Sequence, residues 1–271
     1  MNRPRRATLV WTRRVGPNVY HQRFSDSLIA RRAKAGQFVH LLPGSDHLFR
    51  RALSVYATDP RAETFDVLHQ VLGAGTRCLA HQPIGTVIDT LGPLGNSFTP
   101  PARGTTPVLV GGGLGMAPLR LWAAELMAAR STRRGKPVAP IMILGVRTRE
   151  LAVAPYQLRT LHVHPHWATD DGSLGFHGTA VDLFADMLRR NDWGPGHAMV
   201  YGCGPEPMMK ALAELCIAQQ VPCEVSLERS MPCGYGVCMG CVVTSRGASG
   251  YETYRRVCRD GPVFDAAAIV F

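Results

Sequence analysis

Val108-Leu-Val-Gly-Gly-Gly-Leu-Gly-Met-Ala-Pro-Leu119 decides the fold of this chain. A short apolar run suited to a buried strand meets a turn holding Gly111, Gly112, Gly113 and Gly115. A stretch of helical periodicity, Ala117–Arg130, follows. Strand, glycine turn and helix in that order make the first half of a βαβ unit. Such a turn lets a diphosphate approach backbone N–H groups at a helix start. The Gly-x-Gly-x-x-Gly fingerprint is incomplete, because Ala117 or Pro118 stands where its third glycine belongs. A tight strand–helix connection without a ligand is the alternative reading.

Downstream of this stretch, strands and helices alternate. Ala139–Leu144, Thr160–Val163 and Ala198–Tyr201 read as strands, Thr179–Arg190 and Pro205–Gln219 as helices. That alternation predicts a parallel sheet with helices on both faces. A second strand–turn–helix signal is Tyr201-Gly-Cys-Gly-Pro-Glu-Pro-Met-Met209, at the strand end where open α/β sheets bind ligands. Cys203 within it also reads as a packed core residue.

Upstream the pattern is different. Ala7–Thr12, Val19–Ser25, Gln37–Leu42, Ala52–Ala57, Thr64–Val71 and Thr86–Leu91 are short β segments punctuated by Gly16-Pro17, Pro43-Gly44 and Gly92-Pro93. They predict a small antiparallel barrel. Within it, Arg51 can neutralise a phosphate and the Ser54 hydroxyl can bond a flavin edge, while Gly73-Ala-Gly-Thr76 can open a helix. Pro100-Pro-Ala-Arg-Gly104 reads as a linker. The expected division is a barrel over 1–101, an α/β domain over 102–222 and a cysteine-bearing subdomain over 223–271.

The last part holds Cys233-Gly-Tyr-Gly-Val-Cys238-Met-Gly-Cys241, with Cys258 sixteen residues further on. Cys-x4-Cys-x2-Cys with a distant fourth thiol is the plant-type [2Fe–2S] spacing. Zinc sites usually use paired Cys-x2-Cys knuckles, and only one half here has that form. A zinc-binding regulatory module is the reading from another class. The remaining cysteines, Cys78, Cys203, Cys216 and Cys223, stand apart and read mostly as small buried hydrophobes. His162-Val-His164-Pro-His166 would share one strand face, but no acidic partner motif accompanies it.

Composition bounds the rest. The 271 residues are 46% hydrophobic, enough for packed cores, and no apolar run is long enough to span a bilayer. No apolar signal core follows the basic start, so the expectation is a cytoplasmic protein without a membrane partner. The formal charge of +10 comes from scattered arginines. Only Lys34, Lys136 and Lys210 are lysines and no basic run exceeds two residues, which argues against a nucleic-acid partner.

Arg-x-x-Ser in a barrel, Gly-Gly-x-Gly-x-Ala-Pro-Leu and Cys-Gly-Pro-Glu-Pro-Met, in this order, resemble the ferredoxin–NADP reductase superfamily. The closer resemblance is to the electron-transfer subunits of class 1B dihydroorotate dehydrogenases. Ala35-Gly-Gln-Phe-Val-His40, Leu91-Gly-Pro-Leu-Gly-Asn96, Ala168-Thr-Asp-Asp-Gly-Ser173, Ser226-Leu-Glu-Arg-Ser-Met-Pro-Cys233 and Val257-Cys-Arg-Asp-Gly-Pro-Val-Phe264 carry it. The resemblance implies an FAD-binding barrel, an NAD-binding α/β domain and a [2Fe–2S] subdomain. It implies FAD contacts at Arg51, Ala52, Leu53, Ser54, Leu68, His69, Gln70, Gly75 and Thr76. NAD contacts are implied at Gly112, Gly113, Gly115, Met116, Ala117, Cys203, Gly204 and Pro205, with Ser54 and Cys203 nearest the chemistry. Cys233, Cys238, Cys241 and Cys258 would ligate the cluster.

The activity so implied is a relay from the FMN of a dihydroorotate dehydrogenase catalytic subunit, through cluster and FAD, to NAD, in pyrimidine biosynthesis. The implied assembly is a heterotetramer with two copies of each subunit. The alternative is an electron-transfer subunit of the NAD(P)H–ferredoxin oxidoreductase or sulfide dehydrogenase type. Two departures stand out. Ala52 replaces the proline usual between arginine and serine, and His69-Gln70 replaces the usual Tyr-Arg pair. NAD or NADP is open, since Arg147 and Arg149 follow the second strand and either face a 2′-phosphate or are solvated.

Overall fold

Six strands close an antiparallel barrel: β1 (Arg5–Gly16), β2 (Val19–Ser25), β3 (Phe38–Leu41), β4 (Arg51–Asp59), β5 (Thr64–Gln70) and β6 (Val87–Leu94). Their order around the barrel is β1-β2-β5-β4-β3-β6. The computed structural model describes residues 4–44, 46–132, 138–153, 158–190, 197–247 and 251–271, with only the backbone at 130–132. Leu9, Phe24, Val39, Leu41, Val55, Phe65 and Val67 are buried in the barrel half, the inward set that alternation selects. Two short helices decorate it: α1 (Ser27–Arg32), whose first N–H groups at Leu28 and Ile29 are accepted by the Asp26 carboxylate, and α2 (Ala74–Ala80).

The second layer is built from β7 (Thr106–Gly112), α3 (Met116–Thr132), β8 (Ile141–Val146), β9 (His166–Thr169), β10 (Phe176–His177), α4 (Ala180–Arg189), β11 (Ala198–Cys203), α5 (Glu206–Ala218) and β12 (Cys223–Ser226). Every residue of β7 is buried, which is why that strand reads as a continuous apolar run rather than an alternation. Thr179 starts α4 with a capping box: its hydroxyl accepts from Asp182 N–H while its own N–H goes to the Asp182 carboxylate.

The rest of the chain forms β13 (Val242–Arg246), β14 (Glu252–Arg256), the single-turn α6 (Val257–Asp260), β15 (Val263–Asp265) and β16 (Ile269–Val270). Strands β14-β13-β16 make a small antiparallel sheet. Strand β15 leaves it and pairs antiparallel with β12, so the large sheet reads β10-β9-β8-β7-β11-β12-β15.

Barrel and sheet are joined by specific contacts. The Glu125 carboxylate on α3 accepts from Ala35 N–H at 2.9 Å. Arg120 lies 4.9 Å over the Tyr56 ring and donates to the Tyr56 carbonyl. The Tyr201 hydroxyl on β11 donates to the Thr99 carbonyl at 2.7 Å.

One expected strand is absent. Thr160–Val163 is a turn, closed by Leu161 N–H to Leu158 O and His162 N–H to Arg159 O, with His162 at φ +55°. The strand begins only after Pro165, at His166. Alternation of histidine with apolar residues mimicked a strand where Pro165 can donate nothing to a ladder. His162, His164 and His166 therefore do not share one strand face.

Candidate functional site

The connections place the site. From β7 the chain adds β8, β9 and β10 on one side, then crosses to add β11 and β12 on the other. The order reverses between β7 and β11, so a crevice opens at their C-terminal ends. Parallel register sets Cys203 beside Gly111, which brings the two glycine-rich turns together there.

A cleft of about 950 Å³ fills this crevice and continues onto the barrel. Arg51, Ala52, Leu53, Ser54, Leu68, His69, Gln70 and Thr76 line it from the barrel side. Gly112, Gly113, Gly115, Ala117, Gly204 and Pro205 line it from the sheet side. Segments far apart in sequence thus share one cavity of dinucleotide dimensions.

Gly75 stands just behind this wall. A Cβ there would lie 2.2 Å from the Arg51 guanidinium, so the bare backbone forms a cradle that holds the cation. Arg51 is oriented further by donating Nη1 to the Phe49 carbonyl at 2.7 Å. Thr76 turns its hydroxyl back to accept from Leu72 and Gly73 N–H, fixing the start of α2. The His69 ring bonds Gln22 Oε1 at 2.9 Å, and Gln22 Nε2 is committed to the Leu79 carbonyl. Burial lowers the His69 pKa to about 4.

Besides Gly75, two expected contacts do not reach the cavity. Cys203 is wholly buried; burial pushes its thiol up, and Ser226 is its hydrogen-bonding neighbour. Met116 is also in the core. The two turns meet at the switch point, where Gly115 packs against the Cys203 carbonyl.

Of the other walls, only Arg147 carried an expected role, toward a 2′-phosphate. Arg147, Asp170 and Thr179 line the cleft beyond β8 and β9, and Ser226 to Met231 line it beyond β12. They all follow the C-terminal ends of parallel strands, and that position alone could have marked them. Glu228 opens onto the cleft, yet surrounding protein desolvates its carboxyl and raises its pKa. Arg149 is elsewhere: its Nε is tied to the Ser173 carbonyl at 2.9 Å.

From Met231 the chain runs straight into the cysteine loop. The thiols of Cys233 and Cys238 are neighbours, as are those of Cys241 and Cys258. Gly240 N–H points to the Cys238 sulfur at 3.4 Å and Cys258 N–H to the Cys241 sulfur at 3.5 Å. Burial raises Cys233, but N–H groups of Cys238, Tyr235 and Val237 outweigh it and bring the thiol down to about 6. Burial and the Cys241 thiol push Cys258 up to about 12. Among the described residues no three Cys, His, Asp or Glu side chains converge on one metal ion. Two pairs of thiols with N–H groups aimed at sulfur fit two irons better than one zinc.

The loop is braced from behind. Arg256 bonds the Asp260 carboxylate and donates Nη1 to the Gly236 carbonyl at 3.1 Å. Asn96, at the end of the barrel, exchanges hydrogen bonds of 2.9 and 2.8 Å with the backbone of Val263.

Comparison with known proteins agrees with this layout. Residues 228–270 match the model of the iron–sulfur cluster binding domain of dihydroorotate dehydrogenase B. The chain is 37% identical to the electron transfer subunit of dihydroorotate dehydrogenase B (NAD(+)) from Desulforamulus reducens, covering 95% of this chain and 94% of that one. It is 35% identical to its counterpart from Enterococcus faecalis, with 97% of each chain covered. Among solved structures, a chain of an NADH-dependent reduced ferredoxin–NADP oxidoreductase superposes with a TM-score of 0.83 at 26% identity, over 100% of this chain and 91% of that one. A ferredoxin–NADP+ reductase from Neisseria gonorrhoeae shares the fold at 19% identity and a TM-score of 0.67, over 81% and 92%. Barrel, switch-point cleft and paired thiols coincide with full-length similarity to these proteins, and the chain belongs to the family of dihydroorotate dehydrogenase B electron-transfer subunits.

Proposed function

We propose that the chain relays electrons between the FMN of a dihydroorotate dehydrogenase catalytic subunit and NAD, in the cytoplasm, as one half of a heterotetramer with two copies of each subunit. The carrying observation is that one cleft is walled by the barrel segment Arg51–Ser54, both glycine turns and the approach to Cys233. Arg51, the Leu68–Gln70 backbone and Thr76 would hold FAD. Gly112 to Gly115, Gly204 and Pro205 would hold the nicotinamide nucleotide, and the four paired thiols the [2Fe–2S] cluster. When bound, FAD exchanges a hydride with nicotinamide and single electrons with a cluster, which is the conversion such a relay needs.

The chain's own residues do the placing. Arg51 brings positive charge to a phosphate and Ser54 puts a hydroxyl at the cleft wall. Gly112 and Gly115 let a nucleotide approach the backbone, and Leu227 to Met231 line the cleft on the way to the cysteine loop. Tyr235, Val237 and Met239 are exposed around Cys238, with Tyr251 and Tyr254 exposed in the same subdomain. An apolar surface at the most exposed ligand suits a docked flavoprotein. All eight cysteines are free, as expected in a reducing compartment, and no helix among the described residues is long and apolar enough to cross a membrane. A ferredoxin-linked client is the second reading, favoured only by the 26% identity to that oxidoreductase chain, against 37% for the dihydroorotate relative.

The test uses the full chain with its FMN partner. Dihydroorotate should reduce NAD+, and Cys241→Ser should end that transfer while FAD remains bound and NADH–ferricyanide turnover continues. Normal transfer by Cys241→Ser, or a colourless wild-type protein after anaerobic purification, would overturn the reading.

A further inference from the structure

His40 on β3 is 1% exposed, yet neither of its ring nitrogens has a hydrogen-bond partner. Leaving a buried polar group unpaired is costly, so a residue kept in that state asks for a reason. Its surroundings supply one. On one side the strand register pairs His40 with Ala52, inside the segment that walls the cleft. On the other side the ring lies flush with the cysteine loop. A Cβ at Gly234, which has φ +78°, would stand 2.4 Å from His40 Nδ1. The backbone of Met231 and Cys233 is what the ring addresses there, without a well-formed hydrogen bond. The Phe38 ring meets the imidazole edge-on at 6.4 Å, and Arg50 and Arg51 are charged neighbours. His40 is thus the side chain inserted between the flavin-side strand and the first cluster cysteine.

We propose that His40 is a positioning residue for electron transfer: with the cluster in place its unpaired imidazole N–H donates to the adjoining Met231–Cys233 backbone, fixes the cysteine loop against the barrel, and so sets the cluster's potential. The inference rests on the relay reading above. An imidazole carries at least one N–H in either charge state, so the donor is always present. Bonding the carbonyl that precedes or belongs to Cys233 orients the peptide groups that follow, and these aim their N–H groups at sulfur. Hydrogen bonds around the sulfurs and exclusion of water are what tune such clusters. A ring that merely filled space would be replaceable by leucine; a donor would not.

The test is an EPR-monitored redox titration of the full chain loaded with FAD and cluster, comparing wild type with His40→Leu, His40→Asn and His40→Gln. In His40→Leu the one-electron equilibrium of the cluster should move about tenfold toward the oxidised form, which is 59 mV. The EPR line shape of the reduced cluster should change with it. One of the two amides, placing an N–H near Nδ1 or Nε2, should restore the equilibrium to within about threefold of wild type. NADH–ferricyanide turnover, read at the flavin, should stay unchanged throughout. Wild-type potential and line shape in His40→Leu would overturn the proposal, as would shifts in both amides as large as in leucine. If His40→Leu fails to hold a cluster, retention at wild-type potential in one amide supports the proposal and loss in both overturns it. A wild-type protein without flavin or cluster would sink the relay reading itself, a different outcome from either.

Discussion

Gly115 lies against the carbonyl of Cys203, so closely that a Cβ at Gly115 would stand 2.1 Å from that oxygen. Two turns from different strands therefore touch backbone to backbone at the switch point, and no side chain fits between them. Gly115→Ala must push the turns apart. NADH affinity should fall at least about tenfold, a ΔΔG of about 1.4 kcal/mol, while FAD and cluster absorption remain. Stopped-flow reduction of the flavin at varied NADH checks this, and unaltered affinity would contradict the assignment of that turn.

Arg51 rests in the Gly75 cradle and faces the cleft. A guanidinium that meets a phosphate contributes about 1.5–3 kcal/mol beyond a neutral contact. Arg51→Ala should raise the dissociation constant for FAD by roughly tenfold to a hundredfold. Flavin release on gel filtration measures it, and full retention would count against the phosphate role.

Val237 is 71% exposed beside Cys238. Val237→Asp should leave the fold, both cofactors and NADH–ferricyanide turnover intact and weaken binding to the FMN subunit by tenfold or more, about 1.4 kcal/mol. Titration of the partner onto the variant tests it; wild-type binding would move the docking surface elsewhere.

Asn96 clamps the tail through its two bonds to Val263, and its own N–H donates to the Gly261 carbonyl. Asn96→Ala removes these side-chain bonds, together with a longer one of 3.4 Å to the Asp260 carbonyl, and should cost about 2 kcal/mol, or roughly 4–8 °C in Tm. Thermal unfolding followed by cluster bleaching should report the loss earlier than flavin release does.

His69 gives a pH signature. Its pKa in the folded chain is about 4, below the ordinary histidine value, because burial disfavours the charged ring. A depressed histidine is protonated more readily in the unfolded chain. Its stability contribution is therefore complete above about pH 6.5 and is lost as pH falls toward 4, by about 3 kcal/mol in all. His69→Gln should flatten that part of the stability–pH curve in urea unfolding relative to wild type. A curve of unchanged slope between those limits would refute it.

Much of this was legible from residues alone, for identifiable reasons. Barrel strands such as Val19–Ser25 announce themselves because alternation and flanking turns are local properties, and β2 has those same limits. The run Val108–Val110 reads as a strand because burial on both faces makes it uniformly apolar. The cysteine loop reads from spacing, since ligand geometry constrains it. The false strand at Thr160–Val163 shows the converse: period-2 alternation is weak when a left-handed residue sits within it and a proline follows close behind. Contacts at a distance left no local mark. Nothing near Met231 in sequence says that it walls the same cleft as Ser54, and nothing near Cys203 says that Gly115 packs against its carbonyl. Those relations arise from strand order, which one sequence constrains only through topology rules.

Strand β15 gives the cysteine-bearing part its second attachment to the large sheet, the first being the exit from β12. An element leashed at one end can swing between donor and acceptor, as a tethered shuttle does. This one is riveted at both ends and clamped by Asn96, so it behaves as fixed wiring. Its electron-transfer rate should follow how well a partner docks, and lengthening a linker within it should slow transfer rather than free it.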